Sequence, residues 1–174
     1  MNNNEFSIAA HQARGNRLML AVSAGLMLTS LALAGWHDTW LEALLIGGSA
    51  LAVPLLMSRA MPHALATRLA YGMGFMIFAA LLIHQGHGMI EMHFAIFVLL
   101  AFLLYYRDIW PIVAGAGLVA MHHLGFNYLQ VSGAPVFVFE LHTGLDIVMV
   151  HAAFVVIETI VLLMIARRPV TARA

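Results

Sequence analysis

Residues 88–129, GMIEMHFAIFVLLAFLLYYRDIWPIVAGAGLVAMHHLGFNYL, decide the fold. They form two apolar runs separated by Arg107 and Asp108, and each run carries histidine toward the end remote from that charged pair. A helical membrane span needs about 20 mostly apolar residues. The two runs therefore read as consecutive spans, 88–106 and 109–129. Asp108 stands at an N-cap position and Pro111 in the first turn, both helix-start signals.

Four more apolar runs extend this pattern: 18–36, 40–57, 65–84 and 142–166. Pro54 is a kink candidate in the second. The breaks WHDT, SRAMPH, HQGHG, YYRD and VSGAP carry turn chemistry. The expected fold is all-α, an integral-membrane bundle of six transmembrane helices. Residues 1–16 form a polar N-terminal segment, expected to fray or lie along the membrane. The bundle covers 17–168, and 169–174 is a short tail. No tandem repeat or internal linker interrupts the chain.

Composition agrees. Of 174 residues, 63% are hydrophobic and 9% charged, with a mean hydropathy of +0.92. Soluble domains carry about a quarter charged residues, so a soluble enzyme and a disordered chain are excluded. The net charge is zero and no basic patch exists, which excludes nucleic-acid binding. The absence of Cys removes disulfides, thiolate metal sites, iron–sulfur clusters and Cys nucleophiles.

Charge sets the orientation. There is no Lys, and the eight Arg are Arg14, Arg17, Arg59, Arg68, Arg107, Arg167, Arg168 and Arg173. With six spans and a cytoplasmic N-terminus, all eight fall on the cytoplasmic side, as the positive-inside rule requires. Both termini are then cytoplasmic and the location is a bacterial inner membrane. The ALAG sequence after the first run is also compatible with signal-peptide cleavage. Cleavage would leave five spans and the same Arg pattern, but the run is long for a signal peptide.

Ionisable groups inside a membrane are costly and are functional candidates by default. Seven of the ten His lie in the last four runs, in the outer half or at its rim: His84, His87, His93, His122, His123, His142 and His151. Helical spacing sorts the polar residues by depth. A shallow group comprises His84, His87, Glu91, Glu140, His142 and Asp146. Its i, i+4 pairs are His87 with Glu91 and His142 with Asp146, a weaker candidate site. A deeper group comprises His93, roughly 8 Å below the boundary, with His122, His123 and His151 at similar depth on two other helices. His123 shares a stripe with Asn127 and Gln130, and Glu158 lies two turns beyond His151 on the same face. His37, Asp38 and Glu42 belong to a hydrated outer mouth.

Imidazoles from several helices at one level suit a buried transition metal such as copper, iron or zinc, or a haem b iron. His93, His122, His123 and His151 are the candidate ligands for either cofactor, with Glu158 a further metal ligand or an orienting carboxylate. Gly115, Gly117, Gly125 and Gly144 offer slim faces for a porphyrin. Met89, Met92, Met121 and Met149 are candidate soft ligands. The bland alternatives are hydrogen-bonded packing histidines, a hydrated rim and methionine as core filler.

The stretch from His84 to Arg168 resembles a known family. HGMIEMHFAIFVLLAFLLYYRDIWPI, HHLGFNYLQ and VHAAFVVIE look like the six-span sensory region of certain bacterial methyl-accepting chemotaxis proteins, a region that also precedes some diguanylate cyclases. The matching positions are Glu91, His93, Arg107, Asp108, His122, His123, His151 and Glu158. The resemblance implies a signal-input module for chemotaxis or related signalling. It also implies an output domain or protein on the cytoplasmic side. The expected partners are the lipid bilayer, that output element and a second copy of the chain. EMHF, AMHH and ELHT are weakly similar to the Met-His pairs of the MHYT sensory domain, whose own motif is absent.

Three functions compete. A sensor would read redox poise, a diatomic gas or a metal through the His centre and pass the change along the sixth helix. A metal transporter would use the His142/Asp146 pair, but the inner half lacks a polar path. An enzyme or electron carrier of cytochrome b type is the third. Hydroxylase His boxes are missing, and His142 and His151 lie on different faces. No catalytic residue is assigned.

Overall fold

The computed structural model describes residues 3–140 and 144–167, with side chains described from Ala10 onward. Every regular element among them is helical. We label the helices α1 (Asn3–His37), α2 (Trp40–Ala60), α3 (Leu65–Gln85), α4 (Ile90–Tyr106), α5 (Ile109–Val131) and α6 (Leu145–Ala166). Helices α2, α3, α5, α6 and the Ala10–His37 part of α1 are long and apolar enough to cross a membrane, whereas α4 is shorter. The last turn of α4, Leu103–Tyr106, tightens to a 3-10 helix.

Helix α3 is the axis of the bundle. It packs against α1, α2, α4 and α5, and Tyr71, Phe75, Met76, Phe78, Ala79 and Ile83 on it are buried. Between lipid-soluble surfaces there is little hydrophobic drive, so close backbone approach and interhelical hydrogen bonds hold helices together. Both occur here. A Cβ on Gly72 would stand 2.5 Å from the Pro111 carbonyl oxygen, so the absence of a side chain lets α3 meet α5. Gly74 similarly faces the Ala50 carbonyl, the one that Pro54 leaves without its i+4 N–H partner. Helix α2 thus continues through Pro54, and its irregularity is a π-helical turn at Ala43–Gly47 instead.

Polar locks close each end. At one end Asp108 accepts from Trp110 N–H (3.1 Å) as the expected N-cap, and from Arg68 Nε (2.9 Å). Asn16 donates to Pro62 O and accepts from the Tyr106 hydroxyl, 2.8 Å each. At the other end the buried Gln85 accepts from the Ser30 hydroxyl (2.8 Å) and donates to Thr39 Oγ1 (2.9 Å) and Ser30 O (3.1 Å). The first of these is the arginine end, the second the histidine end.

The structure departs from the sequence reading at the N-terminus. The polar segment expected to fray or lie along the membrane is helical from Asn3 and continuous with the first apolar run. No proline interrupts it, and Gly15 seats α1 on the Tyr106 ring, where a Cβ would fall 2.8 Å from Cε1. His11 Nε2 lies 2.7 Å from Tyr105 O, and its ring stacks on Tyr105.

Candidate metal centre

Three helices each contribute one histidine at the histidine end. His93 lies in the first turn of α4, His123 in the C-terminal half of α5 and His151 in the second turn of α6. Their ring centroids are 5.4 Å (His93–His123), 5.1 Å (His93–His151) and 6.1 Å (His123–His151) apart. His93 is 3% and His123 6% exposed.

The three rings share one hydrogen-bond pattern. Nδ1 of His93 meets Met89 O at 3.1 Å, Nδ1 of His123 meets Val119 O at 3.1 Å, and Nδ1 of His151 meets Ile147 O at 2.9 Å. A carbonyl oxygen can only accept, so each Nδ1 carries the proton and each Nε2 keeps its lone pair. This is the arrangement in which an imidazole serves as a metal ligand, with the carbonyl fixing tautomer and ring orientation. The Nε2 atoms of His93 and His123 are buried without a partner. Buried polar atoms are ordinarily satisfied, so two orphaned Nε2 atoms need a physical cause.

Tetrahedral ligation at metal–nitrogen distances of about 2.0 Å sets imidazole centroids roughly 5 Å apart. The observed separations are close to this. Among the described residues no three His, Asp or Glu side chains have donor atoms set for a metal as they stand, so closing the centre requires side-chain adjustment. The donor chemistry fits a metal ion. A porphyrin has room in the apolar cavity of about 400 Å³ that the three histidines line together with Phe97, Val113, Gly117, Ala152 and Val155, between α4, α5 and α6.

Phe139 caps the cluster. It is buried, and its ring lies 5.7 Å from His93, 5.8 Å from His123 and 5.0 Å from His151. Gln130 holds it: Oε1 accepts from the N–H groups of Val138 (2.8 Å) and Phe139 (3.2 Å), and Nε2 donates to Phe139 O (2.7 Å). Gly88, at φ +82°, lies against the same backbone, where a Cβ would be 2.4 Å from the Phe139 carbonyl carbon. Asn127 Oδ1 accepts from Gly144 N–H at 3.2 Å. The His123–Asn127–Gln130 stripe therefore joins the centre to its cap. Phe139 was missed in the sequence reading. Its signal is the alternation Val136-Phe137-Val138-Phe139, bulky apolar residues where a solvated loop would be polar.

The other expected residues divide. The ring of His122 contacts His123 (5.4 Å) and Phe126 (4.3 Å), and it lines a separate cavity with His84 and Glu42. The deep set is thus three histidines plus one turned away. Glu158 does not line the 400 Å³ cavity. It lies two turns beyond His151, about 10 Å along the axis, and its Oε2 is buried without a partner. In the shallow set, Glu91, Glu140 and Asp146 are exposed, and His142 lies outside the described residues. His87 stacks between His37 (3.6 Å) and Phe137 (4.1 Å), and His84 Nδ1 accepts from Phe137 N–H at 3.2 Å. Burial, then the neighbouring His37 and His84, pushes His87 below the ordinary imidazole range. Met149 lines the three-histidine cavity and Met121 the other.

No family model, curated protein or solved structure matches this chain.

Proposed function

We propose that this chain is a signal-input domain of a bacterial inner membrane. In this reading it has six spans, both termini are cytoplasmic, and a transition metal is held near the outer side by His93, His123 and His151. The observation that carries the reading is the shared tautomer: three rings on three helices, each with Nδ1–H tied to its own i−4 carbonyl and Nε2 left as a lone-pair donor. A bound copper or iron ion supplies the redox and gas-binding chemistry that a sensor reads. The chain's residues position it and keep outer water away, Phe139 above and apolar walls below. His151 ties α6 to α4 and α5, so a change in ring spacing is transmitted along α6 past Glu158 to Arg167 and an output element beyond. The resemblance to chemotaxis sensory regions supports this role.

Haem b in the cavity beneath the histidines is the second reading, favoured by its size and by the small lining residues Gly117, Ala120 and Ala152. A transporter has less support, because the inner half of the spans is almost purely apolar and offers no polar path.

Metal analysis and an optical spectrum of protein purified in detergent test the reading. About one copper, iron or zinc per chain is expected, lost in His93→Ala, His123→Ala and His151→Ala and retained in His63→Ala and Glu158→Gln. A Soret band would replace the metal-ion reading with the haem reading. Equal metal content in all variants would overturn both. In a chimera carrying a reporter cyclase after Arg168, Glu158→Gln is expected to keep the metal and weaken stimulus dependence.

A further inference from the structure

A second cavity, about 630 Å³, lies on the other side of α5, between α2, α3 and α5. Its walls are mostly apolar, among them Ile46, Met76, Leu118, Met121 and Leu129. Ile46, Met121 and Leu129 are also exposed on the bundle surface, so the cavity faces the bilayer. Its ionisable side chains are Glu42, His84 and His122.

The tautomer of His84 is the reverse of those in the three-histidine centre. His84 Nδ1 accepts the Phe137 N–H, so the His84 proton sits on Nε2. His122 Nδ1 stands 3.5 Å from His123 Nδ1, which carries a proton because it faces Val119 O. That proton is directed at Val119 O, so His122 keeps one N–H and one lone pair for its other neighbours. His84 is therefore an N–H donor at Nε2, and the neutral His122 ring carries one N–H of its own. A donor does not ligate a metal. It calls for a ligand with acceptor oxygens. Glu42 at the same cavity disfavours phosphate and carboxylate head groups, which excludes the common anionic lipids. Apolar walls facing lipid require a membrane-soluble ligand, and the Phe126–His122 pair supplies an aromatic surface for a flat ring.

We infer that the cavity between α2, α3 and α5 binds an isoprenoid quinone, its carbonyl oxygens accepting from His84 and His122. The binding site does not depend on a metal at the neighbouring centre. The His122 ring touches His123 at 5.4 Å, which places the quinone head beside that centre.

The test is a titration of the full chain, in nanodiscs of quinone-free lipid, with decylubiquinone. Saturable binding is expected. His84→Leu and His122→Leu should each weaken it about tenfold, the loss expected for one buried hydrogen bond. His84→Gln, which restores an N–H donor, should recover part of the affinity. His151→Ala should lose metal but bind quinone normally, so failure of the metal reading and failure of this one are separable. The inference is overturned by non-saturable uptake or by equal competition from decylbenzene, which marks an acyl-chain groove. Affinity unchanged in both Leu variants would also overturn it. Circular dichroism and monodisperse elution identify variants that fail to fold, and His84→Gln then carries the test.

Discussion

One residue type serves three purposes in this chain, and the partner of Nδ1 decides which. Where Nδ1 faces a carbonyl, as in His93, His123 and His151, the free Nε2 is a Lewis base. Where Nδ1 accepts a backbone N–H, as in His84, Nε2 is a donor. His87 stacks face to face in an aromatic ladder. Burial and the neighbouring imidazoles lower its pKa, so folding favours the neutral ring. The sign follows from linkage: the unfolded chain binds the proton more readily. The stabilisation is full above the ordinary value of 6.5 and is lost as pH falls below it toward the lowered value. An NMR titration in micelles should place the His87 midpoint below 6.5. His37→Gln should raise that midpoint without restoring it fully, because burial remains. A midpoint at or above 6.5 would show that the ladder does not bury the ring.

At the level of elements, glycine marks where helices meet. A Gly72 Cβ would collide with the Pro111 carbonyl, whereas one on Gly25 of α1 would meet nothing within 4 Å. Gly72→Ala should therefore cost about 1–3 kcal/mol through separation of α3 and α5. Gly25→Ala should be neutral or stabilise by up to about 1 kcal/mol through helix propensity. Unfolding in mixed micelles measures both, and equal stability of the two variants would contradict the close α3–α5 contact. The helix starts at Leu65 and Ile109 were readable because chain chemistry announces them, in Asp108 and Pro111 for the latter. The extra turns at the start of α1 were not, since polarity was taken as a sign of fraying and the Tyr105 and Tyr106 contacts lie some 90 residues away.

For the molecule as a whole, the arginines and the metal-ligand candidates lie at opposite ends. Arg14, Arg17, Arg59, Arg68, Arg107 and Arg167 belong to the arginine end, joined by the Arg68–Asp108 bridge and the Asn16–Tyr106 bond. The metal-ligand candidates and Phe139 belong to the other. In the proposed topology, which follows the positive-inside rule, the histidine end faces outward. Ser132→Cys, in the exposed turn after α5, is expected to react with an impermeant maleimide added to intact spheroplasts. Protection there, with labelling only after lysis, would invert the topology and place the metal centre on the cytoplasmic side.

Composition and periodicity were sufficient for an all-helical chain with helices of membrane-spanning length, for most helix boundaries within a few residues, and for grouping His93, His123 and His151 toward one end of their helices. Those properties are local: apolar length selects a span, and a rise of about 1.5 Å per residue converts position into depth. Azimuth was not readable. Adjacent His122 and His123 point about 100° apart on an α-helix, and only the packing of α3 and α6 on the two sides of α5 sends one ring to the metal centre and the other to a different cavity. Nor could spacing reveal Phe139, because a loop's course depends on what it lands on: Gln130 and Gly88 hold it over rings contributed by three separate helices.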